Sequence, residues 1–483
     1  MSVAGREPAG ANGALAIVLH THMPYVEGFG TWPFGEEWLW EAIATCYLPL
    51  LDMLDAGAPL TLSLTPVLCD QLEAPGASAR FARFIEEVRR HTHEEDAAGL
   101  RATGHDELAR EVDRAWGDYG RALENLERRD GDLLGAFAPH AQWTSSATHA
   151  VLPLLATDAG VRLQVQTGVR SHRRRFGDWR GGFWLPECAH APTLELPLEQ
   201  AGVSAVCVEL TSRLGLGAGE HLRPLATETG LTLAPIDRDT VSLVWSDDGY
   251  PASPVYRDYH HHTVHHHNPW DNGGGVYDHP RAVARARSDA ADFVSRTIER
   301  LRRGRREGGS ALPGGGLVVC ALDTELLGHW WYEGIAWLAA VVDECTRQGL
   351  ELLRLDDALE RTEPVAAREV LSNPVEPSSW GTGGDLSTWS GPAVSDMAFA
   401  ARAAELGVLA SDGAPREAVR ALLALQASDW PFMVSRGLTV PYAHERFHGH
   451  RLALQRALDG AEPDPGALRN LAVDADPALL LAP

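Results

Sequence analysis

A chain of 483 residues, 45% apolar and 22% charged, can bury a large core and is too long for one ordinary domain. Its 66 acidic and 42 basic residues leave a formal charge of -24, which argues against nucleic-acid and anionic-membrane partners and suits a neutral ligand. No segment approaches the roughly 18 apolar residues of a membrane span. Residues 1–13 read as a flexible polar tail with no secretory signal. Cys46, Cys69, Cys188, Cys207, Cys320 and Cys345 are scattered without a C-x-x-C pair, as expected of free thiols in a reducing cytoplasm.

Ala14–Leu19 is a continuous apolar run, the pattern of a strand buried on both faces, and it leads into His20-Thr-His22-Met-Pro-Tyr25. Glu36–Leu54 has helical spacing. A second strand opens the stretch Leu60–Leu72 and runs into Thr65-Pro66. Residues 80–138 are charged and helix-like throughout and read as a helical insertion. Strand patterns return at Leu163–Val169, Phe183–Leu185, Ala205–Val208 and Thr240–Trp245. The Gly-, Pro-, Asp- and His-rich stretch 246–278 is too long and irregular to be a mere connection and is expected to serve an active site. His279–Arg306 is an amphipathic helix, Leu317–Leu322 a strand leading into Asp323, Trp330–Gly349 a helix and Glu351–Leu355 a short strand.

Strands alternating with helices predict an α/β barrel of parallel strands over 14–370. Ala393–Leu409, Pro415–Ser428 and Tyr442–Leu458 read as helices without intervening strands, a C-terminal helical domain over 371–460. The acidic, Pro-containing tail 461–483 is expected to be partly ordered.

Two segments carry the chemistry: Gly182-Phe-Trp-Leu-Pro-Glu187 and Leu322-Asp-Thr-Glu-Leu-Leu-Gly-His-Trp-Trp331. Each ends an apolar run in a carboxylate beside tryptophan, where desolvation raises the pKa. Glycoside cleavage needs such a pair, one nucleophile and one acid for the leaving oxygen, and indole faces suit the C–H faces of a pyranose. Two structural acids in a Trp-rich core are the alternative. Because barrel strands end at one mouth, His20, Glu187 and Asp323 are expected to converge. His20 and His22, alternating at a strand end, offer hydrogen bonds to sugar or ligands to a metal. The tract His260–His267 lacks carboxylates or cysteines at ligand spacing and reads as a solvated loop. Ser378–Trp389 is Gly-rich with two tryptophans but lacks a phosphate-loop lysine, so a sugar platform is the better reading.

With these motifs in place, the chain resembles glycoside hydrolase family 57, in particular its α-1,4-glucan branching members. The resemblance rests on His20–Tyr25, Thr65-Pro66-Val-Leu, Trp184-Leu-Pro-Glu187-Cys-Ala, Leu322–Trp331, Ser379-Trp380-Gly and Ser428-Asp429-Trp430. It implies an incomplete (β/α)7 barrel with a helical insertion and a C-terminal helical domain. It implies Glu187 as nucleophile, Asp323 as general acid/base, and His20, Trp380 and Asp429 as glucan contacts. His22, Trp32, Trp184, Trp270, His329 and Trp330 are further candidate substrate contacts.

Branching members carry a tyrosine on a mobile loop, matched by Gly249-Tyr250-Pro251 followed by Tyr256-Arg257-Asp258, so Tyr250 is expected at the tip of a lid that controls the acceptor. The chain departs from the family in its short His-rich segment, in Asn268-Pro-Trp-Asp271 where an arginine is expected (Asp271 being the substitute), and in Leu438 where glutamine is common. The implied activity is 1,4-α-glucan branching. The rivals are an α-amylase or 4-α-glucanotransferase with the same acids, a metal-dependent carbohydrate deacetylase, and an inactive glucan-binding protein. No metal or cofactor is expected, and the expected partner is an α-glucan such as glycogen or amylose.

Overall fold

The structure, a computed structural model, describes residues 13–28, 30, 35–308, 315–371, 376–411, 413–461 and 468–481. Its strands are β1 (Ala14–Thr21), β2 (Thr61–Leu64), β3 (Ala141–Ser145), β4 (Gly182–Trp184), β5 (Ala205–Val208), β6 (Leu225–Ala226), β7 (Thr232–Pro235), β8 (Leu317–Asp323), β9 (Glu351–Leu352) and β10 (Val365–Ala366). Seven run parallel as neighbours in the order β8-β1-β2-β3-β4-β5-β7. Where β7 exits, the Asp237 N–H donates to the Val319 carbonyl of β8 at 3.0 Å, so the curled sheet almost meets itself. This is the incomplete seven-stranded barrel that the resemblance implied. β6 lies antiparallel beside β7, β10 pairs with β6, and β9 pairs with β1.

The register positions the site. On β1, Leu15–Leu19 are fully buried, and His20 pairs with Ser63 of β2 on one side and Asp323 of β8 on the other. Parallel strands end on one side, so β1, β3, β4 and β8 deliver their last residues to a common mouth.

Two expected strands are helical. Leu163–Val169 lies inside the helix Asp158–Phe176, whose start is capped by Thr157 accepting from the Gly160 N–H. A short apolar run cannot by itself separate strand from buried helix. The strand is instead β3, whose Gln142-Trp-Thr-Ser145 has no apolar run to announce it. Thr240–Trp245 likewise falls in the turn of helix Arg238–Val241 and the turns after it, where the Thr240 hydroxyl donates to Asp237 at 2.6 Å. The strand lies earlier, at β7.

Between β2 and β3 the chain is helical, with Asp106–Arg128 the longest piece. After β10 come the helices Ser395–Ala410, Arg416–Leu425, Asp429–Ser435 and Val440–Leu458. They share an apolar core around Leu422, Leu423, Trp430 and Phe447, to which Tyr25 and Val67 of the barrel contribute, and this seats them beside the end of β1. Among the described residues no helix is long and apolar enough to cross a membrane.

Candidate active site

Glu187 sits on the turn that follows β4, in the left-handed conformation (φ 61°, ψ 20°), and Cys188 follows it at φ 49°. A non-glycine residue is held there only when its surroundings over-determine it. They do: the Glu187 carbonyl accepts from the Trp380 N–H at 3.0 Å, and the adjoining chain pairs through His190 with Ser378. Its carboxylate takes two donors, the Trp380 indole N–H on Oε2 at 2.9 Å and the Ser428 hydroxyl on Oε1 at 2.8 Å. Burial raises the Glu187 pKa, and the two donors oppose that rise by favouring the charged form.

The same oxygen ends a chain of hydrogen bonds. Ser428 gives its proton to Glu187, so its oxygen accepts from His149 Nδ1 at 2.8 Å. His149 Nε2 then accepts from His20 Nε2 at 2.9 Å, and His20 Nδ1 faces the Ser63 hydroxyl at 3.4 Å. These tautomers are assigned from the bonding pattern. All four donors point toward Glu187. Burial holds His20 and His149 well below the ordinary histidine range, so both are neutral relays.

His22 behaves otherwise. Burial pulls its pKa down, but the charge and hydrogen bond of Asp429, with Glu325 and Glu187 nearby, outweigh this and raise it. Its Nε2 lies 2.9 Å from Asp429 Oδ1, and its ring stacks on His149 at 4.0 Å.

Asp323 is the contrast. It ends β8 partly exposed, and no described residue hydrogen-bonds its carboxyl. Desolvation, then the charges of Glu325 and Glu187, push its pKa well above the carboxylate range, while His22 draws it down. Glu325, two residues on, is turned to other work. It is buried, accepts from the Tyr47 hydroxyl at 2.6 Å and the His22 N–H at 3.1 Å, and is pushed up to about 7 by burial.

Ligand atoms of His22, His149 and Asp429 lie within 4.8 Å of one another. Imidazole binds metal through a lone pair in the plane of its ring. The two rings are stacked, with 20° between their planes, so their lone pairs run side by side rather than converging. The group is a hydrogen-bonded stack.

The structure brings together Glu187, Asp323, His20, His22, Trp380 and Asp429, all expected from the sequence. Trp32 lies outside the described residues. Trp184 is near but fully buried, stacked under His20 at 4.4 Å, so it supports the floor and offers no open face to a sugar. Trp270 has a face covered by His261 at 3.8 Å. Asp271 is occupied with the loop, its carboxylate accepting from the Gly275 N–H at 2.8 Å. Leu438 is exposed on the helical region.

Tyr250, expected at a lid tip, rests against the barrel wall in this structure. It packs half-buried near Trp337, and its hydroxyl donates to Asp292 of the His279–Gly308 helix at 2.8 Å. Tyr256 does the same with Asp289 at 2.6 Å, so both tyrosines fasten the loop to the barrel wall. His329 and Trp330, on the turn after Asp323, border a cavity. His149 was missed. Its only signal is a histidine a few residues beyond a strand that itself went unrecognised.

Two unequal carboxylates at the ends of parallel strands are the pair that glycosidic cleavage uses. The profile of glycosyl hydrolase family 57 matches residues 16–370, and that of the C-terminal domain of 1,4-alpha-glucan branching enzymes matches residues 393–474. A 1,4-alpha-glucan branching enzyme of Thermococcus kodakarensis is 32% identical over 91% of this chain and 73% of its own. The crystal structure of a GH57-type branching enzyme from Pyrococcus horikoshii superposes with a TM-score of 0.85 at 28% identity, covering 97% of both chains. An alpha-amylase of Thermotoga maritima shares the fold, with a TM-score of 0.77 at 22% identity over 98% of this chain and 99% of its own. The chain belongs to glycosyl hydrolase family 57, to its 1,4-alpha-glucan branching type.

Proposed function

We propose that the chain cleaves α-1,4 links in a glycogen- or amylose-like glucan by retaining double displacement and re-forms the cut chain as an α-1,6 branch. Glu187 attacks the anomeric carbon while Asp323 protonates the departing glycosidic oxygen. A glucan 6-hydroxyl then attacks the glycosyl ester, giving its proton to Asp323 as the C1–O6 bond forms and Glu187 leaves as carboxylate. The observation that carries this reading is the unequal environment of the two acids. Glu187 accepts two hydrogen bonds that favour its ionised form, whereas Asp323 has no hydrogen bond from the described residues and is pushed toward its protonated form. His22, whose pKa Asp429 raises, draws the pKa of both acids down. His20, Trp380 and Asp429 shape the glucan site around them. Six buried, unpaired cysteines support a reducing, cytoplasmic setting.

Incubation with amylose followed by isoamylase digestion tests this. New short chains released by isoamylase are expected. Reducing ends without isoamylase-sensitive product would replace it with the amylase reading.

A further inference from the structure

A cavity of about 300 Å³ opens between the helix Glu36–Ala42, the insertion helices and the loop stretch 257–268. This is the lower end of ligand-sized cavities, about 300–1,000 Å³. The turn that follows Asp323 supplies its edge through His329 and Trp330. Trp330 and Tyr259 are 41% and 42% exposed, unusual for large aromatics beside a cavity, and they leave ring surface open at the rim.

The inner wall is polar. Arg89 donates to Glu41 at 2.5 Å and to Glu37 Oε1 at 3.1 Å. Three buried atoms of the lining have no hydrogen-bond partner among the described residues: Arg257 Nε, Glu37 Oε2 and His93 Nε2, the last two in residues only 4% exposed. An unmet polar atom in that setting is unfavourable unless something fills it. His93 Nδ1 lies 2.7 Å from the Arg89 carbonyl and must carry the proton, which leaves Nε2 as an acceptor. Burial, against the pull of Arg89, pushes the Glu37 carboxyl up to about 8, so near neutral pH its free oxygen can donate. A buried donor and acceptor below open aromatic rings match the hydroxyls and C–H faces of a sugar ring.

We propose that this cavity is the acceptor subsite, where Glu37 and His93 bind hydroxyls of a glucosyl unit of the acceptor α-glucan and Tyr259 and Trp330 pack against its rings. The proposal rests on the branching reading above. In the second step the acceptor's 6-hydroxyl must lose its proton to Asp323, so the acceptor approaches from the Asp323 side. The turn after Asp323 supplies Gly328, His329 and Trp330 to the cavity wall, so the cavity and the general acid/base share one turn. His260, His262, His266 and His267 also line it, which gives the histidine tract a place in the wall.

The test uses amylose as donor and fluorescently tagged maltohexaose as acceptor, with tagged branches quantified before and after isoamylase. In Glu37→Ala, His93→Phe and Tyr259→Ala the half-saturating acceptor concentration should rise about tenfold, with kcat at saturating acceptor within about threefold of wild type. Glu37→Gln, whose amide still donates, should stay within about threefold in both. Tyr259 is exposed, so its variant keeps the test valid if the buried ones fail to fold. Branched wild-type product with unmoved half-saturation in Tyr259→Ala and Glu37→Ala would overturn the acceptor subsite alone. Wild-type product that isoamylase does not shorten would overturn the branching reading and the acceptor assignment with it.

Discussion

The two sides of the mouth are built in opposite ways. Glu187 is over-determined: strained backbone, two donors on its carboxylate, and a relay of three further residues behind one of them. Asp323 ends a regular strand with no hydrogen bond from the described residues and is tuned by desolvation and neighbouring charge. A nucleophile benefits from a fixed direction and a maintained charge. A group that gives and then recovers a proton benefits from a raised pKa and freedom to face its partner. The asymmetry supports the proposed roles, where two alike carboxylates would not.

The strongest challenge to that contrast is removal of each acid. Glu187→Gln and Asp323→Asn should each lower kcat on amylose by about four orders of magnitude, with circular dichroism unchanged. They should then separate on an α-maltosyl fluoride, whose leaving group needs no proton. Asp323→Asn should still release fluoride in a burst, and Glu187→Gln should not. A burst from neither, or from Glu187→Gln, would reverse the assignment.

Cutting the relay should have a smaller effect. Ser428→Ala removes a hydrogen bond to a charged group, about 1.5–3 kcal/mol, or roughly 10–100-fold in kcat. His149→Ala should lower kcat in the same direction, because Ser428 loses the donor that orients it. The double variant should fall little below Ser428→Ala, since both act on one carboxylate oxygen. Full additivity would mean His149 acts elsewhere.

The pH profile tests the tuning. The Trp380 indole favours ionised Glu187, so its loss raises the Glu187 pKa and moves the acid limb of kcat/KM to higher pH. Trp380→Phe should shift that limb upward by about one pH unit while leaving the alkaline limb, set by Asp323, in place. A downward shift would contradict the direction of the effect.

The smallest effect is expected at Tyr250. Tyr250→Phe loses one hydrogen bond to Asp292 and should lower unfolding stability by about 1 kcal/mol in urea titration. The ratio of new α-1,6 links to reducing ends should not change. A fall in that ratio would return Tyr250 to acceptor control.

Much of the site was legible because the strands announce themselves. Leu15–Leu19 and Leu317–Leu322 are apolar on both faces, and the residues that follow a parallel strand must appear at the mouth. Trp184–Glu187 is legible for a different reason, a carboxylate set among large apolar groups. β3 fails this test. Its buried residues are Trp143, Thr144 and Ser145, stabilised by neighbours on both sides rather than by their own apolarity, so His149 beyond it stayed hidden. Tyr250 shows a different limit. Loop composition indicates irregular chain but carries no direction, and the partner that orients it, Asp292, lies 42 residues away on a helix.

Strand pattern, the two acids and the helical C-terminal region are local properties, written in runs of a few residues whose periodicity physics restricts. What each acid experiences is not local. Ser428 reaches Glu187 across 241 residues, Trp380 across 193, and His149 meets Ser428 across 279. A hydrogen bond depends on distance and direction to within a fraction of an ångström. Only the packing of the helical region against the barrel sets those distances, and with them how far burial and hydrogen bonding push each carboxyl.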